Sequence, residues 1–242
     1  ELRDIRGDVH MHTTETDGKN TIREMADAAL ARGYEYIAIT DHSKNLAMTF
    51  GLDDERALAH IKRIREVNDE MEGRIRVFAG IEVDILGDGQ LDLSDETLAQ
   101  MDVVIASVHS LFNQSEEEMT DRMLRAIENP YTRILGHPTG RLLLRREAYK
   151  LNLPQILRRA AELGVAVEHN AYPDRLDLSD RDLRLAKEQG CKISINTDSH
   201  HTSHLEKMRY GISQLRRAWL TKQDVLNTLP ADDFLAALRP RP

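Results

Sequence analysis

Apolar and polar positions follow two rhythms along this chain. Short β-rich runs, DVHMH, YIAITDH, RVFAGIEVDI, VVIASVH, RILGHP, VAVEHNA and KISINTDSH, read as strands. Between them, residues 21–33, 55–73, 115–129, 153–164 and 180–190 repeat apolar side chains every three or four positions, the spacing of one-sided helices. Several of these segments stop at Gly, which enters the left-handed region without steric cost. The stretch TKQDVLNTLPADDFLAAL predicts closing helices. Strand followed by helix, seven times over, implies parallel strands joined by right-handed crossovers. That favours an α/β fold with a closed or nearly closed barrel. An open doubly wound sheet has no G-x-G-x-x-G loop to support it.

Composition narrows this only slightly. A chain of 242 residues fits one domain, with no Pro-, Gly- or Ser-rich linker. Asp and Glu exceed Lys and Arg by 41 to 33, which argues against broad adhesion to nucleic acid, although carboxylates that hold cations swell the count. Cys191 alone cannot form an internal disulfide and reads as a core residue in a reducing compartment. No apolar run has membrane-spanning length and no signal peptide is seen, so a soluble, cytoplasmic protein without membrane contact is expected.

Candidate chemistry collects where the strands end. His10 and His12 lie one residue apart in DVHMH, so a strand turns both to one side and Met11 to the other. The later strands end in Asp41 and His42, Glu82 and Asp84, His109, His137, Glu168 with His169 and Asn170, and Asp198 with His200. In a parallel barrel these ends meet on one rim, where such folds carry their active sites. Imidazoles mixed with carboxylates and no thiolate suit Zn²⁺, Mn²⁺ or Fe²⁺ rather than an all-oxygen Mg²⁺ or Ca²⁺ site. This many candidate ligands exceed the needs of one ion, so two or three ions with open positions are expected, a cluster suited to phosphoester hydrolysis. Asp17 lies in the turn TDGKN, which serves either a turn or the rim. His60, within a charged helix, and His201 and His204, in a polar loop, read as solvated.

In order along the chain, DVHMHTTETDG, AITDHS, GIEVDIL, ASVHS, LGHPTGR and NTDSHH resemble the motifs of the polymerase and histidinol phosphatase (PHP) family, over about residues 7–205. GYEYIAITDHSK, RVFAGIEVDIL, ILGHPTGRLL and DVLNTLP are similar to the C-terminal PHP domain of bacterial family X DNA polymerases. The resemblance implies a distorted seven-stranded (βα)7 TIM-like barrel and a trinuclear metal centre. It assigns His10, His12, Glu82 and Asp198 to one ion, Glu82 with His109 and His137 to a second, and Asp17, His42 and His200 to a third. Asp41 and Asp84 then support ligands rather than bind metal. EHNA at 168–171 departs from an EINA-like pattern, and alternation turns His169 toward the barrel wall.

The implied activity is metal-dependent hydrolysis at DNA ends, a 3′–5′ exonuclease, with abasic-site or 3′-phosphate cleavage also within the family's range. A metal-activated hydroxide is expected beside Glu82, His109, His137 and Asp198. The implied partners are DNA, at single-stranded or gapped 3′ ends near the nucleoid, and a polymerase domain in cis preceding Glu1, so that residues 1–242 are one domain of a longer chain. Arg141 and Lys44 are expected to bind substrate, Arg141 because it follows His137 by four residues at the rim. A small-molecule phosphatase of the histidinol phosphate type is the alternative. A catalytically idle module is disfavoured, because all nine ligand positions are filled.

Overall fold

The computed structural model describes residues 1–238. Seven strands form one sheet in chain order: β1 (Gly7–Asp8), β2 (Tyr36–Ile39), β3 (Arg76–Asp84), β4 (Val103–Ser107), β5 (Ile134–Leu135), β6 (Ala166–Asn170) and β7 (Ile193–Asn196). Every neighbouring pair is parallel. The crossovers carry α1 (Ile22–Leu30), α2 (Asp54–Glu70), the short α3 (Asp95–Leu98), α4 (Glu116–Glu128), α5 (Leu153–Leu163) and α6 (Asp180–Glu188); α7 (Met208–Arg217) and α8 (Ala231–Ala237) follow β7. The barrel expected from strand–helix alternation is therefore present.

Alternation along the strands sorts side chains between two cores. Ile37, Ile39, Ile81, Val83, Val104 and Ala106 face outward and pack against apolar helix faces such as Met25, Ala29 and Ile64. Tyr36, Ala38, Phe78, Val103, Ile105, Ile134 and Ala166 face inward and form a second cluster with Leu226, Phe234 and Leu238. The C-terminal segment thus closes the barrel from below. Local signals set the helix limits: Ser115 and Glu118 make a capping box before α4, and α5 ends at Gly164 with φ 73°.

Among the described residues, no ladder joins β1 to β7; the seam is stitched instead. Asn227 accepts from Ile195 N at 2.7 Å and donates to Gly7 O at 3.1 Å, so one amide bridges the two strands. Higher up, Val9 N donates to Asn196 Oδ1 at 3.3 Å and Met11 bridges Ser199. Two strands, β1 and β5 with two residues each, are shorter than their apolar runs suggest, because the chain leaves the ladder to enter the rim loops. The C-terminal closing segment contains two 3₁₀ turns before α8. Helix α7 was not anticipated, since Gly211 interrupts its apolar spacing. A Cβ there would lie 2.7 Å from Ala171 Cβ, so the glycine allows the helix to sit directly on the sheet.

Candidate metal centre

Glu82, inward on β3 and 1% exposed, lies at the middle of the upper barrel. Its Oε1 is 2.9 Å from His137 Nε2 and 3.3 Å from His109 Nε2. Its Oε2 is 3.0 Å from His42 Nδ1, 3.3 Å from His10 Nε2 and 3.5 Å from His12 Nε2. Asp198 Oδ1 approaches His12 Nε2 at 3.1 Å and His10 Nε2 at 3.7 Å. Asp17 Oδ2 stands 3.3 Å from His200 Nε2 and 3.7 Å from His42 Nε2. All nine sequence-predicted positions therefore meet in one bowl.

Their donor atoms converge in three groups that could hold metal ions: His10, His12 and Asp198; His12, Asp17, His42 and His200; and His42, Glu82 and His109. The first and second match the implied assignment apart from Glu82 and a shared His12. In the third, His42 stands where the resemblance puts His137. Its ring spans two corners, with Nδ1 toward Glu82 and Nε2 toward Asp17.

The residues behind the bowl prepare these groups for cations. Glu168 Oε1 takes a hydrogen bond from His10 Nδ1 at 2.7 Å, Asp84 from His109 Nδ1, and the Asp198 carbonyl from His200 Nδ1 at 2.9 Å. In each ring the bonded nitrogen leaves the other to face the bowl, the arrangement that orients metal-binding imidazoles. His10 Nε2, His42 Nδ1 and Glu82 Oε2 are buried and have no hydrogen-bond partner. Unpaired buried polar atoms are costly, and facing nitrogen and oxygen lone pairs are what a divalent cation satisfies. The donor set fits Zn²⁺, Mn²⁺ or Fe²⁺ chemistry. Electrostatics agree: burial lowers the proton affinity of His109 and His200, yet Glu82 beside the first and Asp17 and Asp198 beside the second raise both to about 9. The bowl takes up positive charge unevenly, because burial and the neighbouring His200 and His42 hold His12 down to about 4.

Other sequence candidates take supporting places. Asp41 is hydrogen-bonded to Thr13, Thr16 and His60, and Asp84 also accepts from Asn45 Nδ2 at 2.6 Å. Glu168 accepts from His137 N at 2.7 Å and Asn196 Nδ2 at 2.9 Å, so it organises two strands as well as His10. His169 points into the wall, where its Nδ1 donates to Leu178 O at 2.9 Å, as alternation predicts.

Three expectations need correction. His60 is not solvated: it is 2% exposed and its Nε2 donates to Asp41 at 2.8 Å, because it shares the buried stripe of α2 with Ala57 and Ile64. His204 is partly buried against Tyr172, and its Nδ1 accepts from His200 N at 3.2 Å; His201, by contrast, is exposed. Arg141 commits two of its three guanidinium nitrogens to the fold rather than to the rim. Its Nε donates to Arg175 O at 3.0 Å and its terminal nitrogen to Leu176 O, so it holds the β6–α6 loop. Lys44 is half exposed, 3.5 Å from Asp54. Arg175, which sequence reasoning passed over, lies at the bowl: Nε is 3.5 Å from Asp198 Oδ2, and NH1 is buried without a partner. With Tyr172, His200 and His204 it lines a cleft of about 290 Å³. The clue was its position five residues beyond β6, the same rim logic applied to Arg141.

The family model for the PHP domain matches residues 8–225, a span that contains every strand but the first residue of β1 and all nine bowl residues. The chain belongs to the PHP family. It is 44% identical over 239 residues to the DNA polymerase/3′-5′ exonuclease PolX of Bacillus subtilis, covering 99% of this chain and 42% of that protein. A probable phosphatase of Thermoanaerobacter is 29% identical, with 91% and 89% of the two chains covered. Among solved structures, the histidinol phosphate phosphatase of Lactococcus lactis, crystallised with zinc, L-histidinol and phosphate, shares the fold with a TM-score of 0.66 and 20% identity, over 89% of this chain and 94% of that one. No described helix of the chain is long and apolar enough to cross a membrane.

Proposed function

We propose that this PHP phosphoesterase hydrolyses phosphodiesters at DNA ends as a 3′–5′ exonuclease, and that it does so as one domain of a longer polymerase chain in the cytoplasm. The observation that carries this reading is the 44% identity along 99% of the chain with the exonuclease-bearing PolX. The full-length phosphatase relative reaches only 29%. The bowl supplies the chemistry, with His10, His12, Asp17, His42, Glu82, His109, His137, Asp198 and His200 as the proposed ligands. Divalent ions bound there, Mn²⁺, Zn²⁺ or Fe²⁺, would activate water and neutralise charge developing on the phosphate. Glu168, Asp84 and the Asp198 carbonyl hold the imidazoles in orientation. Arg175, whose Nε is 3.5 Å from Asp198 Oδ2 and which lines the cleft with His200 and His204, would supply the guanidinium for a substrate phosphate, the role first expected of Arg141. Lys44 stands on the β2–α2 loop as a second, exposed cation.

The second reading, a small-molecule phosphatase, draws on the phosphatase relative that matches nearly its whole length. Turnover of 3′-labelled single-stranded DNA, histidinol phosphate and p-nitrophenyl phosphate by the metal-loaded protein decides between them. Mononucleotide release from the 3′ end is expected. Rapid turnover of histidinol phosphate with intact DNA would establish the second reading instead.

A further inference from the structure

Eight of the nine proposed ligands lie on or just beyond a strand, whose ladder sets their height. Asp17 is the exception. It stands on a turn over residues 13–18, closed by Thr16 N and Gly18 N donating to Thr13 O at 3.1 and 2.9 Å. The turn is tied to the barrel by Asp41. Its Oδ1 accepts from Thr13 N at 2.8 Å and Thr16 Oγ1 at 2.5 Å; its Oδ2 accepts from Thr13 Oγ1 at 2.7 Å and His60 Nε2 at 2.8 Å. Four donors fill the lone-pair positions of a carboxylate, so Asp41 keeps none for a cation. The fourth donor comes from outside the bowl, from the buried face of α2. The same helix reaches the turn again through Arg63, 2.6 Å from Glu15, but both partners are solvent-accessible and such a pair holds weakly.

We infer that His60 is a positioning residue for the ion that Asp17, His42 and His200 would hold, acting through Asp41 and Thr16 to fix the turn that carries the Asp17 carboxylate. Without the imidazole donor, Asp41 is a buried, under-paired charge. It can then rotate to recover partners and release Thr16, the immediate neighbour of Asp17. The inference rests on the metal-phosphoesterase reading but concerns ion retention, so it is tested without DNA.

Chelator-stripped protein is titrated with Mn²⁺ by calorimetry, with ions counted by elemental analysis. Asp17→Asn identifies the ion in question. His60→Leu should weaken that same ion about 10–100-fold, the usual cost of losing a group that orients a ligand, and leave the others in place. It should add little in the Asp17→Asn background, and His60→Gln, whose amide can donate to Asp41, should recover most of the loss. If His60→Leu does not fold, Thr16→Val breaks the same link from the turn side and should weaken the same ion. A lowered melting temperature with unchanged affinity in His60→Leu would show a purely structural histidine and overturn the inference. So would wild-type affinity in Thr16→Val, or a His60→Gln variant no better than His60→Leu. Normal ion binding without DNA cleavage would instead remove the functional reading alone.

Discussion

At the N-terminal end of the barrel, the rings of Tyr36, Phe78 and Phe234 meet at centroid distances of 5.0 to 6.4 Å, with Leu226 and Leu238 filling the space around them. At the C-terminal end the same strands present imidazoles and carboxylates, several with no partner among the described residues. Strand β3 contains the whole transition: Phe78 and Glu82 both point inward, separated by four residues and about 13 Å of strand. The lower end is filled by packing, with Tyr36 Oη the one side-chain polar atom of that cluster without a partner among the described residues, whereas the upper end gathers lone pairs that divalent cations would satisfy. Stability and chemistry are thus divided by height along one barrel, and substitutions should separate them.

The largest separation is expected at Glu82. Glu82→Ala removes the carboxylate shared by five imidazoles, so at least one ion should be lost and DNA turnover should fall to background. The melting temperature of the metal-free protein should change little, because the lower core is untouched. Full metal content by elemental analysis in this variant would break the comparison from above.

Phe234→Ala is the converse. It empties ring-sized volume beneath the barrel and should cost about 3–5 kcal/mol in denaturant unfolding. Molecules still folded should bind Mn²⁺ as tightly as the parent. A variant that loses metal before it loses stability would show that the two ends are coupled.

A smaller effect sharpens the chemical character of the upper end. With the stripped protein reloaded in parallel, Mn²⁺ should support several-fold more DNA hydrolysis than Mg²⁺, because imidazole-rich sites suit transition ions. Equal rates would mean that the histidines are not the working ligands.

Much of this division was legible in the sequence. Alternation placed His10 and His12 together and turned His169 away, and both follow from the period of two that any ladder imposes. The rim could be inferred because every strand ended in a polar residue. Most of what escaped was decided by contacts that no local pattern records. His60 looked solvated amid charged neighbours, although its spacing from Ala57 and Ile64 already placed it on the buried stripe. Arg141 and Arg175 are equivalent as letters after a strand, and only the fold shows that one binds carbonyls of the other's loop. Asn227, in a 3₁₀ turn of the closing segment, acquires its role because β1 and β7 do not pair.

A substitution at the wall behind the bowl tests the boundary between the two regions. His169 is fully buried, and burial holds its imidazole down to about 4 despite the Leu178 carbonyl that accepts from it. In the unfolded chain the same ring titrates near 6.5. Between these values the unfolded state binds the extra proton, so this residue's contribution to stability is present above about pH 6.5 and is lost as pH falls toward 4. The full loss is worth about 3 kcal/mol. His169→Ile substitutes an apolar side chain that suits the wall and cannot titrate, at the cost of leaving Leu178 O without its donor. Near pH 7.5 the variant should therefore be equal to the parent or less stable by about 1 kcal/mol. Toward pH 5 the order should reverse, with the variant unfolding at higher denaturant concentration. Comparing the two proteins, both free of metal, cancels the titration of the bowl histidines they share. A stability difference that stays constant from pH 7.5 to pH 5 would mean that the buried ring is protonated in the folded state, and that the wall is as hospitable to charge as the bowl it encloses.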